Sequence, residues 1–271
     1  MTTRPKLLVT LEGYAAEGGL DVAGAPATCY RPTIALARHE GPGEGEDLWH
    51  DYEAVVDLVV ATGLDGIRLG VEWARIEPRR GVVDDAALLR YRRVARYARA
   101  RGLMVTLAIV DAAWPSWLGL EAWLLPWVVP HVLEHVGRVV DYLGADVTGV
   151  VIFTDPDGLA TRGYVEGSAP PWRRGAHVDA AFARDQIASI ARTLAKDSVV
   201  GPRLVTSHAT LALDVMPGEI AARLNATSAS EVYLRSAVVG AGPTRAPAGL
   251  FAKREGEWRV VAKSELLDVL R

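Results

Sequence analysis

Short apolar runs alternate along this chain with longer stretches whose hydrophobic residues recur every three or four positions. The apolar runs read as strands at Leu7–Leu11, Gly66–Val71, Met104–Val110, Gly149–Phe153, Arg203–Thr206 and Val232–Val238. The periodic stretches read as helices at Leu48–Thr62, Asp85–Arg101, Trp127–Leu143, Ala180–Lys196, Glu219–Leu224 and Lys263–Leu270. In the first of them, Tyr52, Val55, Val56, Val59 and Val60 share one face, and Gly63 supplies a stop. Strand alternating with helix is how a parallel α/β sheet is written. A glycine-rich stretch, Gly41–Gly45, reads as a loop within the long first crossover, and no internal repeat or linker divides the chain.

A length of 271 residues, half of them hydrophobic, suits one α/β barrel domain over residues 1–271, since about 250 residues is typical of that fold. Only six strands are visible, so the expected fold is a truncated or irregular (β/α) barrel of the TIM type. An open barrel leaves strand edges that a partner subunit, as in a homodimer, would cover. The net charge of −3 gives no electrostatic reason to expect nucleic acid or an anionic membrane as partner. One cysteine, Cys29, rules out an internal disulfide framework and a cysteine-built zinc site. The first residues carry no secretory pattern and no apolar stretch nears the roughly 20 residues of a spanning helix, so a cytoplasmic location is expected.

Several motifs, in order, carry a resemblance. The run TGVVIFTDP ends in IFTDP at Ile152–Pro156, and GYAAEGG lies at Gly13–Gly19. Between them, Gly63–Ile109 includes Arg68, Trp73, Arg75 and Pro78, and TLAIVDAAWP spans Thr106–Pro115. Further on come AWL at Ala122–Leu124 and GYVEGSAPP at Gly163–Pro171, with Glu231–Leu266 closing the series. Together these resemble the family 1 glycoside hydrolases of the β-glucosidase type. In that family the fourth barrel strand ends in T-F-N-E-P, with the Glu as general acid/base and the Asn as a sugar contact. Here those two positions are Thr154 and Asp155. The resemblance also places the family's sugar-binding Gln, His and Trp at Ala15, Ile109 and Val110, none of which can make the contact. The T-E-N-G that carries the family's nucleophile does not occur, and only Leu211–Ser230 separates the fifth expected strand from the last. A retaining mechanism needs two carboxylates roughly 5 Å apart. The resemblance therefore implies a glycosidase scaffold without glycosidase chemistry. A barrel shortened in this way also resembles the dehydratases of terphenyl natural-product biosynthesis, as in terfestatin.

Barrel enzymes keep their chemistry at the C-terminal ends of the strands. Asp155 leads the candidates there, because a carboxylate ending an apolar strand beside aromatic residues is expected to be desolvated and to serve as a general acid. Its alternative role is the N-cap of the following helix, since Asp before Pro is a common helix start. Glu72 stands where the family has a small Ser; it can be a second catalytic carboxylate or pair with Arg68 or Arg75. Asp111 and Glu12 can each be a second carboxylate or a loop-fastening acceptor. His208, at the end of the fifth strand, can serve as a base near neutral pH or as a hydrogen-bonded structural residue. The resemblance makes Arg68 the residue that steadies the missing nucleophile, so a substrate anion, Glu72 or Asp111 is expected to take that partner's place. Trp73, Trp114, Trp117, Thr154 and Arg235 complete the expected substrate contacts. No metal-ligand spacing is present, and no cofactor is expected.

With the sugar contacts gone, the expected ligand is a small hydroxylated, partly apolar or aromatic molecule. An acid that protonates a departing oxygen, with a base but no nucleophile, performs elimination. The expected activity is therefore a lyase of the dehydratase type, with Asp155 as acid and His208 or a carboxylate as base. A non-catalytic ligand-binding subunit and an inverting glycosidase, with carboxylates about 6.5–9.5 Å apart, are the alternatives.

Overall fold

The computed structural model describes residues 6–36 and 39–204, together with the strands 231–235, 249–254 and 257–260. Two sheets are present. The first holds four parallel strands in sequential order: β1 (Leu8–Leu11), β2 (Gly66–Gly70), β3 (Met104–Val110) and β4 (Gly149–Phe153). Leu204 adds a single parallel bridge to Val150 at the open edge. This is the succession of an α/β barrel wall, with helices crossing over between neighbouring strands. The expected helix Glu219–Leu224, the helix Lys263–Leu270, half of the strand Arg203–Thr206 and His208 lie outside the described residues.

The register explains which side chains face where. Thr10, Arg68 and Thr106 are paired across β1, β2 and β3, so the pleat turns all three to one side. On the opposite side, Val9, Leu11, Ile67, Leu69, Val105 and Leu107 are fully buried. That side is covered by α3 (Tyr52–Ala61), α5 (Asp85–Ala100) and α6 (Val128–Leu143). Helix α5 shows why the segment folds as it does. The Asp84 carboxylate accepts from the Ala86 and Ala87 N–H groups at 2.8 and 3.2 Å. Leu88, Tyr91, Val94, Ala95 and Ala98 then bury one stripe, and Gly102, at φ 85°, follows the helix end in the left-handed conformation.

Shorter elements frame the strand ends: α1 (Gly13–Ala16), α2 (Arg31–Ala35), α4 (Trp73–Ile76) and α7 (Pro156–Ala160). A single wide turn, Thr161–Glu166, prolongs α7, and α8 (His177–Ala195) returns along the sheet edge. Gly70 is needed where it stands: a Cβ there would lie 2.4 Å from the backbone nitrogen of Gly13, which crosses over the end of β2.

The last expected strand differs in kind. Strand β5 (Glu231–Arg235) pairs antiparallel with β6 (Gly249–Arg254), and β6 pairs antiparallel with β7 (Glu257–Val260). These three form their own sheet and do not extend the parallel one among the described residues. Only Glu255 and Gly256 separate β6 from β7, a hairpin-length connection that forces antiparallel pairing, whereas a parallel pair needs a crossover of a dozen residues or more.

Candidate active site

The C-terminal ends of the four parallel strands gather Glu12, Glu72, Asp111 and Asp155. A cavity opens there, lined by Tyr30, Asp111, Trp114, Phe153, Asp155 and Arg162 among others. It is small, about 30 Å³.

Glu12, at the end of β1, has its pKa pushed up to about 8 by burial first, then by the negative charge of Asp111. Arg162 opposes this and Asp155 adds to it. Asp111, just past β3, is pushed up to about 6, again chiefly by burial. A hydrogen bond from the Thr154 hydroxyl, the Ala112 N–H and the charges of Arg162 and Arg68 pull it back. Its Oδ2 is buried with no hydrogen-bond partner among the described residues. The Arg68 Nε is likewise buried and without a partner among the described residues, and burial lowers the guanidinium pKa while Asp111 supports its charge. Thr154 also points its hydroxyl toward the Val110 carbonyl, at 3.5 Å.

Asp155 occupies the cap position. Its Oδ1 accepts from the Gly158 N–H at 2.9 Å, starting α7, and its Oδ2 accepts from Arg162 Nη1 at 2.8 Å. The side chain is 29% exposed. Both oxygens are therefore engaged, and the strongly desolvated carboxylates of the site are Glu12 and Asp111.

Glu72 is buried but does not line the cavity. Its Oε1 caps α4 by accepting from the Ala74 N–H at 3.0 Å. Burial and the neighbouring Glu17 push its pKa up to about 8. It forms no ion pair with Arg68 or Arg75. Arg75 instead donates from Nε to Glu17 Oε2 at 2.5 Å and from Nη2 to the Gly18 carbonyl at 2.7 Å. Tyr91 ties this group together, donating to Glu17 at 2.5 Å and accepting from the Glu72 N–H at 2.9 Å.

The tryptophans divide into two groups. Trp114 lines the cavity, with its Nε1 donating to the Gly119 carbonyl at 2.8 Å. Trp73 stacks on His135 at 4.4 Å and meets Trp117 edge-on at 6.0 Å. Both indole nitrogens of that pair donate to Glu77, so Trp73 and Trp117 belong to a packed cluster away from the cavity. His208 lies outside the described residues, and for Arg235 only the strand backbone is described.

Two site residues escape the sequence reading. Arg162 follows Asp155 by seven positions, two helical turns, and the only signal was that spacing. Tyr30 lines the cavity and stacks on Tyr14 at 4.5 Å; nothing in its surroundings in the sequence marks it. Among the described residues no group of three His, Cys, Asp or Glu is arranged to hold a metal ion. No helix among them is long and apolar enough to cross a membrane.

The rice protein named beta-glucosidase-like SFR2 (Oryza sativa subsp. japonica) is 32% identical over 162 residues, 57% of this chain and 25% of that protein. The galactolipid galactosyltransferase SFR2 of Arabidopsis thaliana is 29% identical over 143 residues, 49% of this chain and 23% of its own. The chain is a relative of the family 1 β-glucosidases. The solved GH1 β-glucosidase of Exiguobacterium antarcticum superposes with a TM-score of 0.63 at 17% identity, covering 73% of this chain and 48% of the enzyme. The AHE enzyme of Alicyclobacillus herbarius gives 0.62 at 19% identity, covering 71% and 47%. At such identity these structures establish the barrel fold of this β-glucosidase relative and nothing finer. The chain spans from a quarter to about half the length of the relatives it matches. No protein-family profile matches it.

Proposed function

We propose that this β-glucosidase relative is a lyase of the dehydratase type, acting on a hydroxylated, partly apolar ring. One observation carries the reading: Glu12 and Asp111 are interacting carboxylates whose pKa values burial pushes up to about 8 and about 6, and Asp111 lines an aromatic-walled cavity. At neutral pH burial and the repulsion between the two carboxylates leave the pair sharing one proton, an acid and a base in one site. The acid expected at Asp155 thus falls to Glu12. Glu12 protonates the departing hydroxyl, and the C–O electron pair leaves with it as water. Asp111 Oδ2 takes the proton from the adjacent carbon, and that C–H pair becomes the new double bond. Return of the proton from Asp111 to Glu12 completes the cycle with no other reactant. The absence of T-E-N-G and of the sugar contacts supports elimination over hydrolysis. The name of the Arabidopsis relative, a galactosyltransferase, supports looking beyond hydrolysis as well.

The test offers the purified chain hydroxylated cyclic precursors and follows loss of water by mass, with Glu12→Gln and Asp111→Asn as controls. Release of the aryl group from aryl β-glycosides, abolished by the same substitutions, would show a glycosidase and end the dehydratase reading.

The engagement of both Asp155 oxygens favours a second reading, a pseudo-glycosidase that binds a ligand without turnover. Binding with no chemical change across the precursor panel would establish it.

A further inference from the structure

Among the described residues that line the cavity, Arg162 is the one cation; it shares the walls with Asp111, Asp155 and the aromatic rings of Tyr30, Trp114 and Phe153. Its backbone lies in the wide turn Thr161–Glu166, a conformation used sparingly in helices and often at functional sites. The Arg162 carbonyl accepts from the Ser168 and Ala169 N–H groups at 2.9 and 3.3 Å, which ties it to the loop that brings Ala169 and Pro170 to the cavity. Gly158 makes room for the side chain, since a Cβ there would collide with both Arg162 Nη1 and Asp155 Oδ2.

The guanidinium is held along one edge only. Nη1 donates to Asp155 Oδ2 at 2.8 Å, and no other hydrogen bond joins the guanidinium to a described residue. The side chain is 44% exposed, so its remaining N–H groups are open to what enters the cavity. At that exposure an ion pair alone adds little stability, which leaves the placing of this group on the cavity wall to be explained by a ligand. On the same small cavity, Asp111 Oδ2 is buried with no partner among the described residues. A fixed donor edge and an unsatisfied acceptor thus share one cavity with aromatic surface beside them.

We infer that Arg162 is a catalytic residue of the dehydratase reading, on which this rests: its open edge takes a carbonyl oxygen of the substrate, on the ring carbon next to the one that gives its proton to Asp111. The substrate class is then a cyclic β-hydroxy ketone. A neutral acceptor suits the site better than an anion, because two carboxylates line the cavity with the one arginine. Asp111 Oδ2 takes the proton from the carbon between the carbonyl and the carbinol. That C–H pair forms a double bond to the carbonyl carbon, and the carbonyl π pair moves onto oxygen as an enolate. Arg162 meets the new charge without rearranging, because Asp155 already holds its guanidinium. The enolate pair then forms the double bond to the carbinol carbon, whose hydroxyl is protonated by Glu12 and leaves as water. The product is a conjugated cyclic enone, and the proton on Asp111 restores Glu12.

The test uses para-nitrophenol, whose phenolate carries its charge on a ring oxygen as the enolate does, and para-nitroanisole, its neutral ether. Visible absorbance reads the ionised fraction of the bound phenol, at a pH just below the midpoint of the free probe. With the parent chain the bound phenol is expected to be more ionised than the free one, its proton passing to Asp111, and to bind about tenfold tighter than the ether. Arg162→Met should abolish both effects while leaving the ether unchanged, and Arg162→Lys should keep part of them. Near-UV circular dichroism verifies folding; if Arg162→Met does not fold, the Lys variant, which keeps a charge beside Asp155, must still lower the ionised fraction. No binding of the phenol, a bound phenol no more ionised than the free one, or variants that match the parent would overturn the assignment. Turnover is not part of this readout. Loss of water from a cyclic β-hydroxy ketone at the parental rate by Arg162→Met would defeat Arg162 and keep the lyase. Arg162-dependent ionisation of the probe without turnover of any cyclic β-hydroxy ketone would keep Arg162 as the oxygen-binding residue and defeat the lyase.

Discussion

Arg162 reaches back two helical turns to hold the Asp155 carboxylate at 2.8 Å, while the other oxygen of that carboxylate starts the helix that carries Arg162. The two residues are mutually dependent: the cap fixes the helix, and the helix delivers the guanidinium. Asp155→Asn keeps an oxygen to accept the Gly158 N–H and should cost little stability. Asp155→Ala loses the cap and should cost about 1 kcal/mol. Urea denaturation of both variants separates the two effects; equal loss in Asn and Ala would mean that the ion pair, not the cap, matters.

Activity should follow a bell-shaped pH profile. The base Asp111 must be ionised, which requires pH above about 6, and the acid Glu12 must be protonated, which requires pH below about 8. The optimum of kcat/KM is expected near 7, with limbs that belong to the pair rather than to either residue alone. A rate that climbs steadily from pH 6 to 9 would exclude Glu12 as the acid.

Much of the fold was legible because burial on the helix-covered side of the sheet writes itself as apolar runs. Strands β3 and β4 fall at the expected residues, Met104–Val110 and Gly149–Phe153. The helix expected from Leu48 begins only at Tyr52, because the preceding turn bonds to Ala16 and Glu17 instead and Asp51 supplies the cap. The candidate site was less legible. Asp155, Glu12 and Asp111 were visible as strand-end carboxylates, but which of them is desolvated depends on Arg162. Two glycines, Gly158 and Gly163, interrupt the helical pattern that brings that residue back. Glu72 and Trp73 looked like site residues by position. Both turn away from the cavity, because α4 starts immediately after β2 and uses Glu72 as its cap.

Tyr91 should be a sensitive hydroxyl. It serves the Glu72 N–H and the Glu17 carboxylate at once, and both partners are buried. Tyr91→Phe takes a partner from the Glu72 N–H and from one oxygen of Glu17, whose other oxygen keeps Arg75, and is expected to cost about 1–3 kcal/mol. A melting temperature within a degree of the parent would show that water replaces the hydroxyl.

Arg68 should be stabilising to remove. Its guanidinium is half-buried and has no ion pair among the described residues, so Arg68→Met trades a partly desolvated charge for apolar surface. A gain below about 1 kcal/mol is expected, since the group is only half-buried and its charge supports Asp111. A destabilised Met variant would mean that the charge has a partner in the folded protein.

Stability itself should fall as the solution becomes alkaline. Glu12 and Glu72 are pushed up to about 8, Glu17 to about 7 and Asp111 to about 6, in each case chiefly by burial. Unfolded carboxylates titrate near 4. Between those values the folded state binds more protons than the unfolded one, so the stability is full below pH 4 and is lost progressively up to about pH 8. His135 works in the opposite sense. Burial pushes its pKa well below the ordinary value, so the folded state is disfavoured only as pH falls beneath about 6.5. Above pH 6.5 the carboxylates act unopposed. Raising the pH from 6.5 to 8.5 should therefore lower stability by on the order of 5 kcal/mol, a fall of many degrees in Tm, at fixed ionic strength. Glu72→Gln, which keeps an oxygen for the Ala74 N–H, should flatten that slope. A melting temperature that rises across this window would show that the strand-end carboxylates are ionised in the folded chain, and with them the proposed acid would be lost.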